Sequence, residues 1–114
     1  MKPGQIVKVN WRDALPNSGE PNRVRPAIVV SSPKFYEPLP FELIVPLTAS
    51  EDMALEDASV RIDPTSENGC TKTSYALSWN VQCVPQIRLT ETTSHVTAEQ
   101  LACIRKQISL CVAK

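Results

Sequence analysis

The chain has 114 residues, of which 42% are apolar and 21% charged, so its composition excludes a disordered or fibrous chain and its length fits one domain rather than two. Its formal net charge is zero, which excludes the overall positive field by which a non-specific nucleic-acid binder gathers its partner. No stretch approaches the roughly 18 consecutive apolar residues of a membrane span, and Lys2 and Pro3 stand where a signal peptide has its apolar region, so we expect one cytoplasmic domain over residues 1–114 without membrane attachment.

The first half of the chain predicts three β-strands and one long loop. Alternating apolar and polar residues in QIVKVNW, residues 5–11, are typical of a half-buried strand. The turn formers of RDALPNSGEPNR, residues 12–23, predict a loop, and so long a loop in a small domain is more often functional than idle. Apolar runs then predict strands in AIVVSS, residues 27–32, and FELIVPLTAS, residues 41–50, with Pro26 placed where a strand can begin.

The second half predicts two further strands. ASVRID, residues 58–63, alternates like a short strand, and PTSENG, residues 64–69, has the composition of a turn. SYALSWNVQCVP, residues 74–85, predicts a longer strand in which Tyr75, Leu77, Trp79, Val81 and Cys83 share one face. The polar run TETTSHVT, residues 90–97, predicts a solvated loop that contains the only histidine.

The last segment predicts an amphipathic helix. Thr97 and Gln100 have the spacing of a capping box, which marks a helix start. Apolar residues then recur at helical spacing at Leu101, Ile104, Ile108, Cys111 and Val112. Strands followed by one terminal helix, without βαβ alternation, predict a mainly β (α+β) fold: a small antiparallel barrel with a C-terminal amphipathic helix.

The cysteine and histidine spacings argue against a metal site. The chain contains no C-x-x-C pair and no histidine at the spacing of a zinc-ligand partner. We therefore expect no bound metal. Because we expect no export, we also expect the thiols of Cys70, Cys83, Cys103 and Cys111 to be reduced and buried as small apolar groups.

The charges are unevenly distributed along the chain. Residues 1–34 carry six basic and two acidic side chains, residues 35–67 one basic and eight acidic, and residues 68–114 five basic and two acidic. The pattern permits a local basic surface that faces one partner. Charges scattered over a solvated surface would give the same counts.

Several motifs, in this order, resemble one family. GQIVKVNW, a loop containing SGE, then RPAIVVSS, IVPLTAS, ENGCTKTS and RLTE before a last helix, resemble the MazF/PemK toxins over nearly the whole chain from Gly4. That family consists of ribosome-independent mRNA endoribonucleases of toxin–antitoxin pairs. The resemblance implies a small SH3-like barrel that forms a homodimer, and RNA cleavage without a metal or cofactor.

The resemblance also implies two active-site residues. The arginine of the family's RP motif falls on Arg25, and the threonine that ends its PxT strand falls on Thr48. A guanidinium suits phosphoryl charge because its forked donors reach two oxygens, and a hydroxyl at a strand end is held rigidly. From spacing alone, Arg25 is an ordinary surface charge and Thr48 an ordinary β-former.

The proton acceptor is harder to assign. Arginine has a pKa above roughly 12, so Arg25 would need an unusual shift to act as a general base. Glu20, which falls on the acidic residue of the family's loop, is the alternative base.

RNA recognition is expected from the loop of residues 12–25 and from residues 74–85. Single-stranded RNA is read by stacking of splayed bases and by hydrogen bonds along base edges. The candidate RNA-binding residues are Arg12, Arg23, Lys72, Ser74, Trp79, Asn80 and Gln82. Core packing is an equally good explanation of Trp79, because it shares its predicted face with apolar neighbours.

Two kinds of function remain open from the sequence. In the first, the protein cleaves single-stranded mRNA and is restrained by a cognate antitoxin whose disordered tail fills the RNA groove. In the second, a barrel of the same fold poisons gyrase without cutting RNA, as CcdB does. The gyrase poisons carry an aromatic residue near the end of the last helix, and SLCVAK, residues 109–114, has none.

Overall fold

A computed structural model describes residues 1–11 and 24–113 of the chain. The regular elements, in chain order, are β1 (Gln5–Asn10), β2 (Val24–Val29), α1 (Pro33–Tyr36), β3 (Phe41–Thr48), β4 (Val60–Ile62), β5 (Ser74–Ala76), β6 (Gln82–Pro85), β7 (Leu89–His95) and α2 (Ala98–Val112). Short 3₁₀ turns lie at Glu51–Met53, Ser78–Asn80 and Gln86–Arg88.

The strands form one antiparallel sheet in the order β4-β5-β3-β2-β1-β7, and β6 also pairs with β3. Strand β3 is the junction, because its first half pairs with β6, its middle with β2 and its end with β5. Among the described strands no pairing joins β4 to β7, so the barrel is not closed there. The predicted mainly β fold with a C-terminal helix is confirmed.

Two apolar clusters lie on opposite faces of the sheet. Neighbouring residues of a strand point to opposite faces, so Ile6 belongs to one cluster and Val7 to the other. Helix α2 covers the first cluster and buries Ile104 completely within it. The side chain of Thr97 accepts from the Gln100 N–H and the Gln100 side chain accepts from the Thr97 N–H, so the predicted capping box is confirmed.

The predicted single strand over residues 74–85 is wrong. The backbone leaves the sheet after Ala76 and makes a 3₁₀ turn at Ser78–Asn80 before it pairs again as β6. The cause is tertiary: the Leu77 N–H still donates to the Pro46 carbonyl of β3 at 2.9 Å, but Ser78 Oγ then donates to Gln107 Oε1 on α2 at 2.6 Å. The odd-numbered residues therefore do not share one face.

Two more expectations fail because pairing and packing involve distant residues. The run predicted as a loop over residues 90–97 forms most of β7, since its backbone pairs with β1. Cys83, Cys103 and Cys111 are exposed, as is Val112, while Cys70 is half-buried, so the expected burial of the thiols is wrong for three of the four. Helix α2 packs on the sheet through its first part and its last turn extends beyond the core.

Within residues 1–11 and 24–113, no helix is both long enough and apolar enough to cross a membrane.

Candidate functional site

An open cleft of about 380 Å³ lies where β1, β2, β3 and β7 approach the segment between β4 and β5. Strand β1 contributes Lys8, β2 contributes Arg25, and β3 contributes Thr48 at its last residue. The segment after β4 contributes Asn68, Gly69, Cys70, Thr71 and Lys72, followed by Ser74 at the start of β5. Five parts of the chain that are distant in sequence therefore meet at one site.

Three cations and no carboxylate line the described part of this cleft. Lys8, Arg25 and Lys72 all reach it, and none of them forms an ion pair with a described residue. The antiparallel register places Lys8 opposite Pro26 and Val9 opposite Arg25, so the first two cations lie on adjacent strands. Cations grouped without an acidic partner attract an anion, and a phosphate group suits the forked donors of arginine.

Hydroxyl groups complete the polar lining. Thr48 Oγ1 accepts from the Ser50 N–H at 3.1 Å, so the hydroxyl proton of Thr48 can be donated to a ligand. Ser74 Oγ donates to the Lys72 carbonyl at 3.2 Å. Thr92 and Ser94 of β7 face the cleft at an irregularity in the β1–β7 pairing, where Thr92 Oγ1 donates to the Ile6 carbonyl.

A close backbone approach shapes the wall beside β7. Gly69 has a φ of +65°, and a Cβ added there would lie 2.7 Å from Ser94 Oγ. The backbone conformation and the lack of space both favour glycine at this position. The chain after Gly69 thus packs directly against β7 and turns towards the cleft.

Titration shifts occur beside the cleft. Hydrogen bonds from Arg61 and Thr73 lower the pKa of the Asp63 carboxyl, and the same contact with Asp63 raises the pKa of Arg61. Partial burial raises the pKa of the Tyr75 phenol, and the neighbouring Glu51 carboxylate adds to the effect. These three groups lie close in sequence to Lys72 and Ser74 or on or directly after the neighbouring strand β4, and the directions of their shifts leave all three with their usual charge at neutral pH.

The structure brings four of the predicted site residues together and places three elsewhere. Arg25, Thr48, Lys72 and Ser74 line the same cleft. The other three described candidates do not line it: the indole N–H of Trp79 donates to the Met53 carbonyl at 2.9 Å, and Gln82 Nε2 donates to Asn80 Oδ1 at 3.1 Å. Trp79 is half-buried and is not part of either apolar cluster. The remaining candidates, Arg12, Glu20 and Arg23, lie outside the described residues.

Sequence reasoning missed several cleft residues. Lys8 is the exposed polar position of an alternating strand, and that alternation was the available signal. Thr92 and Ser94 were hidden because their segment lacks apolar residues and resembles a loop. Asn68 is only 4% exposed, and nothing in the sequence except its position in a predicted turn marked it as a cleft residue.

The lining limits the chemistry that the described residues can supply. Among the described residues, the lining contains no aromatic ring for base stacking and no Asp, Glu or His for proton transfer. Within the described ranges, no group of three or more His, Cys, Asp or Glu side chains is arranged to hold a metal ion. What the cleft offers is positive charge, hydroxyl donors and a defined shape, which suit an anionic backbone.

A comparison with protein-family models identifies the chain. Residues 2–112 match the model of the PemK-like, MazF-like toxin of type II toxin–antitoxin systems. The chain belongs to the MazF/PemK toxin family. No curated protein sequence matches this MazF-like chain.

Solved structures agree with the family in fold. One similar structure is an endoribonuclease from a mycobacterial species in complex with its cognate antitoxin. Its sequence is 15% identical to this chain and the TM-score is 0.75. The alignment covers 98% of this chain and 94% of the endoribonuclease. MazF from Deinococcus radiodurans is 19% identical with a TM-score of 0.71, over 96% of this chain and 94% of its own. The Mycobacterium tuberculosis toxin MazF-mt6 is 17% identical with a TM-score of 0.67, and the alignment covers 92% of this chain and 93% of the toxin. At these identities the likeness concerns the fold, and the MazF-like barrel is the shared feature.

Proposed function

We propose that this MazF-like toxin is an endoribonuclease that cleaves single-stranded mRNA at a short sequence by attack of the 2′-hydroxyl, without a metal. The observation that carries the proposal is the cleft in which Arg25, Lys8 and Lys72 meet the Thr48 hydroxyl without any described acidic neighbour. An RNA phosphodiester provides the negative charge that this group of cations lacks.

In the proposed reaction the 2′-oxygen attacks phosphorus and the bond to the 5′-oxygen breaks. The products are a 2′,3′-cyclic phosphate and a 5′-hydroxyl, so the proton lost by the nucleophile is balanced by one gained by the leaving oxygen. Arg25 would donate to two phosphoryl oxygens as their charge grows, and the Thr48 hydroxyl would donate to the same phosphate. The Thr48 side chain is prepared for this role because its oxygen already accepts from Ser50.

The proton acceptor is proposed to be Glu20, which lies outside the described residues. No described residue of the lining is a carboxylate or imidazole, so none of them is an ordinary base. Arg25 would serve as the charge stabiliser.

Base recognition is proposed to take place outside the cleft, because the described residues of its lining include no aromatic ring. Trp79, Asn80 and Gln82 lie in and after the 3₁₀ turn that interrupts the sheet. The indole N–H of Trp79 is engaged by Met53, so Trp79 would offer its face to a base and not a hydrogen bond. Lys72 would contact a phosphate, as would Arg12 and Arg23 of the loop.

The proposed protein partners are a cognate antitoxin and a second copy of the chain. One similar structure holds a MazE–MazF complex from Deinococcus radiodurans, with 19% identity and a TM-score of 0.70. An antitoxin with acidic side chains would neutralise the cations of the cleft and compete with RNA. Sedimentation velocity of the purified chain tests the proposed homodimer, and a monomer at micromolar concentration would contradict it.

The direct test is incubation of the purified protein with a long single-stranded RNA in EDTA, followed by mapping of the fragment ends. Discrete sites that end in 2′,3′-cyclic phosphate are expected. Removing one preorganised donor to a developing oxyanion reduces rates by about 10²–10³, so Arg25→Ala should lose cleavage to that extent. Arg25→Lys should not restore it, because an ammonium lacks the fork.

Lys106→Ala is the matched control, since Lys106 is an exposed cation on α2 that does not line the cleft. It should cleave like the parent chain. Uncut RNA with a folded, antitoxin-free protein would overturn the proposal, and so would cleavage that EDTA abolishes or that Arg25→Ala leaves intact.

A further inference from the structure

The wall of the cleft between β4 and β5 has no regular secondary structure. Residues 63–73 form turns and extended backbone, yet they contribute a third of the cleft lining, including Lys72. Without ladder hydrogen bonds, the backbone groups of this wall are paired through turns, such as the Gly69 N–H with the Thr65 carbonyl at 3.3 Å, and through side chains. The contacts of one buried amide show the side-chain part of this pairing.

The side-chain amide of Asn68 links backbone groups within this segment by hydrogen bonds. Asn68 Oδ1 accepts from the Thr65 N–H at 3.0 Å and from the Cys70 N–H at 2.9 Å, and Asn68 Nδ2 donates to the Asp63 carbonyl at 2.8 Å. In return the Asn68 N–H donates to Thr65 Oγ1 at 3.1 Å. All three hydrogen bonds of the amide run to the backbone of its own segment, before and after it.

Asp63 connects this arrangement to the far end of the wall. Its carbonyl accepts from Asn68, while its carboxylate accepts from Thr73 Oγ1 at 3.0 Å and from Arg61 Nε at 3.0 Å. Lys72 lies between the two points that are fixed to Asp63. The position of the Lys72 backbone is therefore determined by contacts on both sides of it.

A second anchor attaches the same segment to β7. The His95 N–H donates to the Glu67 carbonyl at 2.9 Å, and Gly69 packs against Ser94. The amide of Asn68 lies between these two contacts. It holds the segment's internal shape, while the contacts to β7 hold the segment to the sheet.

We infer that the side-chain amide of Asn68 is a positioning group for RNA binding and cleavage, because it holds the wall in the shape that presents Lys72 to the RNA phosphate. This inference rests on the proposed function. The side-chain amide of Asn68 already makes three hydrogen bonds, so only its second N–H is free to contact a base edge. We therefore expect Asn68 to act through Lys72 and not by direct recognition of bases.

The test is a double-mutant cycle between Asn68→Ala and Lys72→Ala. Binding is measured by fluorescence anisotropy with a single-stranded RNA carrying 2′-O-methyl groups, which cannot be cut, and cleavage is measured on the unmodified RNA. If Asn68 acts through Lys72, Asn68→Ala should weaken binding about tenfold in the parent chain and less than about twofold in the Lys72→Ala chain, because residues that act through one contact are not additive.

The salt dependence gives a second readout that loss of stability alone would not change. Each phosphate contact to a single strand contributes about 0.7 to the slope of log affinity against log salt concentration, so both single variants should lower the slope by about that amount. Gln86→Ala is the matched control, because its half-buried amide donates to Glu42 Oε2 at 2.8 Å and lies away from the cleft and from the proposed base-recognition residues. It should lower stability and leave the slope unchanged.

The outcomes separate the two proposals. If the parent chain cuts RNA but Asn68→Ala and Lys72→Ala have independent effects, or if Asn68→Ala behaves like Gln86→Ala, this inference is overturned and the nuclease proposal stands. If the parent chain does not cut RNA, both are overturned. Should Asn68→Ala fail to fold, Asn68→Ser, which keeps one acceptor and is tolerated in turns, takes its place in the cycle.

Discussion

Replacement of Gly69 by alanine should destabilise the protein through two separable effects. The first is backbone strain, since Gly69 has a φ of +65° and an L-residue in the left-handed region costs about 1–2 kcal/mol. The second is a steric contact, because the new Cβ would lie 2.7 Å from Ser94 Oγ. The wall or the Ser94 side chain must move to relieve it, at a cost of about 1–3 kcal/mol typical of overpacking.

A second glycine of the same chain separates the two effects. Gly4 has a φ of +88°, but a Cβ added there meets nothing closer than 3.7 Å. Gly4→Ala therefore introduces the strain without the contact. Gly69→Ala should lower the free energy of unfolding by about 2–5 kcal/mol, and Gly4→Ala by about 1–2 kcal/mol.

The assay is urea denaturation followed by circular dichroism, with Ser94→Ala as a second background. Removal of Ser94 Oγ leaves Ser94 Cβ as the nearest atom, at 3.7 Å from the added carbon. In that background Gly69→Ala should therefore lower the free energy of unfolding only as much as Gly4→Ala does. The reasoning is refuted if Gly69→Ala is no more destabilising than Gly4→Ala in the parent chain, or if Ser94→Ala changes nothing.

Three further predictions concern stability. Glu42→Ala should lower the free energy of unfolding by about 1–3 kcal/mol, measured by denaturant titration, because the buried Glu42 carboxylate accepts from Ser31 Oγ and Gln86 Nε2, and both donors would lose their partner. Thr97→Ala should lower it by about 1 kcal/mol through loss of the α2 cap, whereas Thr97→Ser should not. The pKa of the Asp63 carboxyl is lower in the folded protein than its ordinary value of 3.8. The carboxylate therefore stabilises the fold fully above pH 3.8, and this stabilisation is lost as the pH falls through the lower pKa of the folded state. The stability difference between the parent chain and Asp63→Asn should therefore shrink below about pH 4, and a difference that is constant from pH 7 to pH 2 would contradict this.

Much of the fold was predictable because the decisive signals are local. The alternation in β1, the apolar runs of β2 and β3, and the capping box at Thr97 each depend on residues within one element, so these elements were predicted correctly. The bounds of β2 were wrong, because it spans Val24–Val29 and not residues 27–32. The site was only partly predictable. Arg25 and Thr48 were predicted from the resemblance to the family's motifs, and both line one cleft, but Lys8 and Asn68 became visible as cleft residues only in the folded structure.

The sequence by itself determined the β-rich class, the terminal helix and the family of this protein, because periodicity, capping and motif order are properties of neighbouring residues. The tertiary structure decided where the sheet is interrupted and which cations meet. Ser78 leaves the sheet because its hydroxyl binds Gln107, 29 residues away, and residues 90–95 are a strand because β1 offers them backbone partners. Contacts between distant segments depend on three-dimensional packing, and these contacts place Lys8, Arg25 and Lys72 around one cleft.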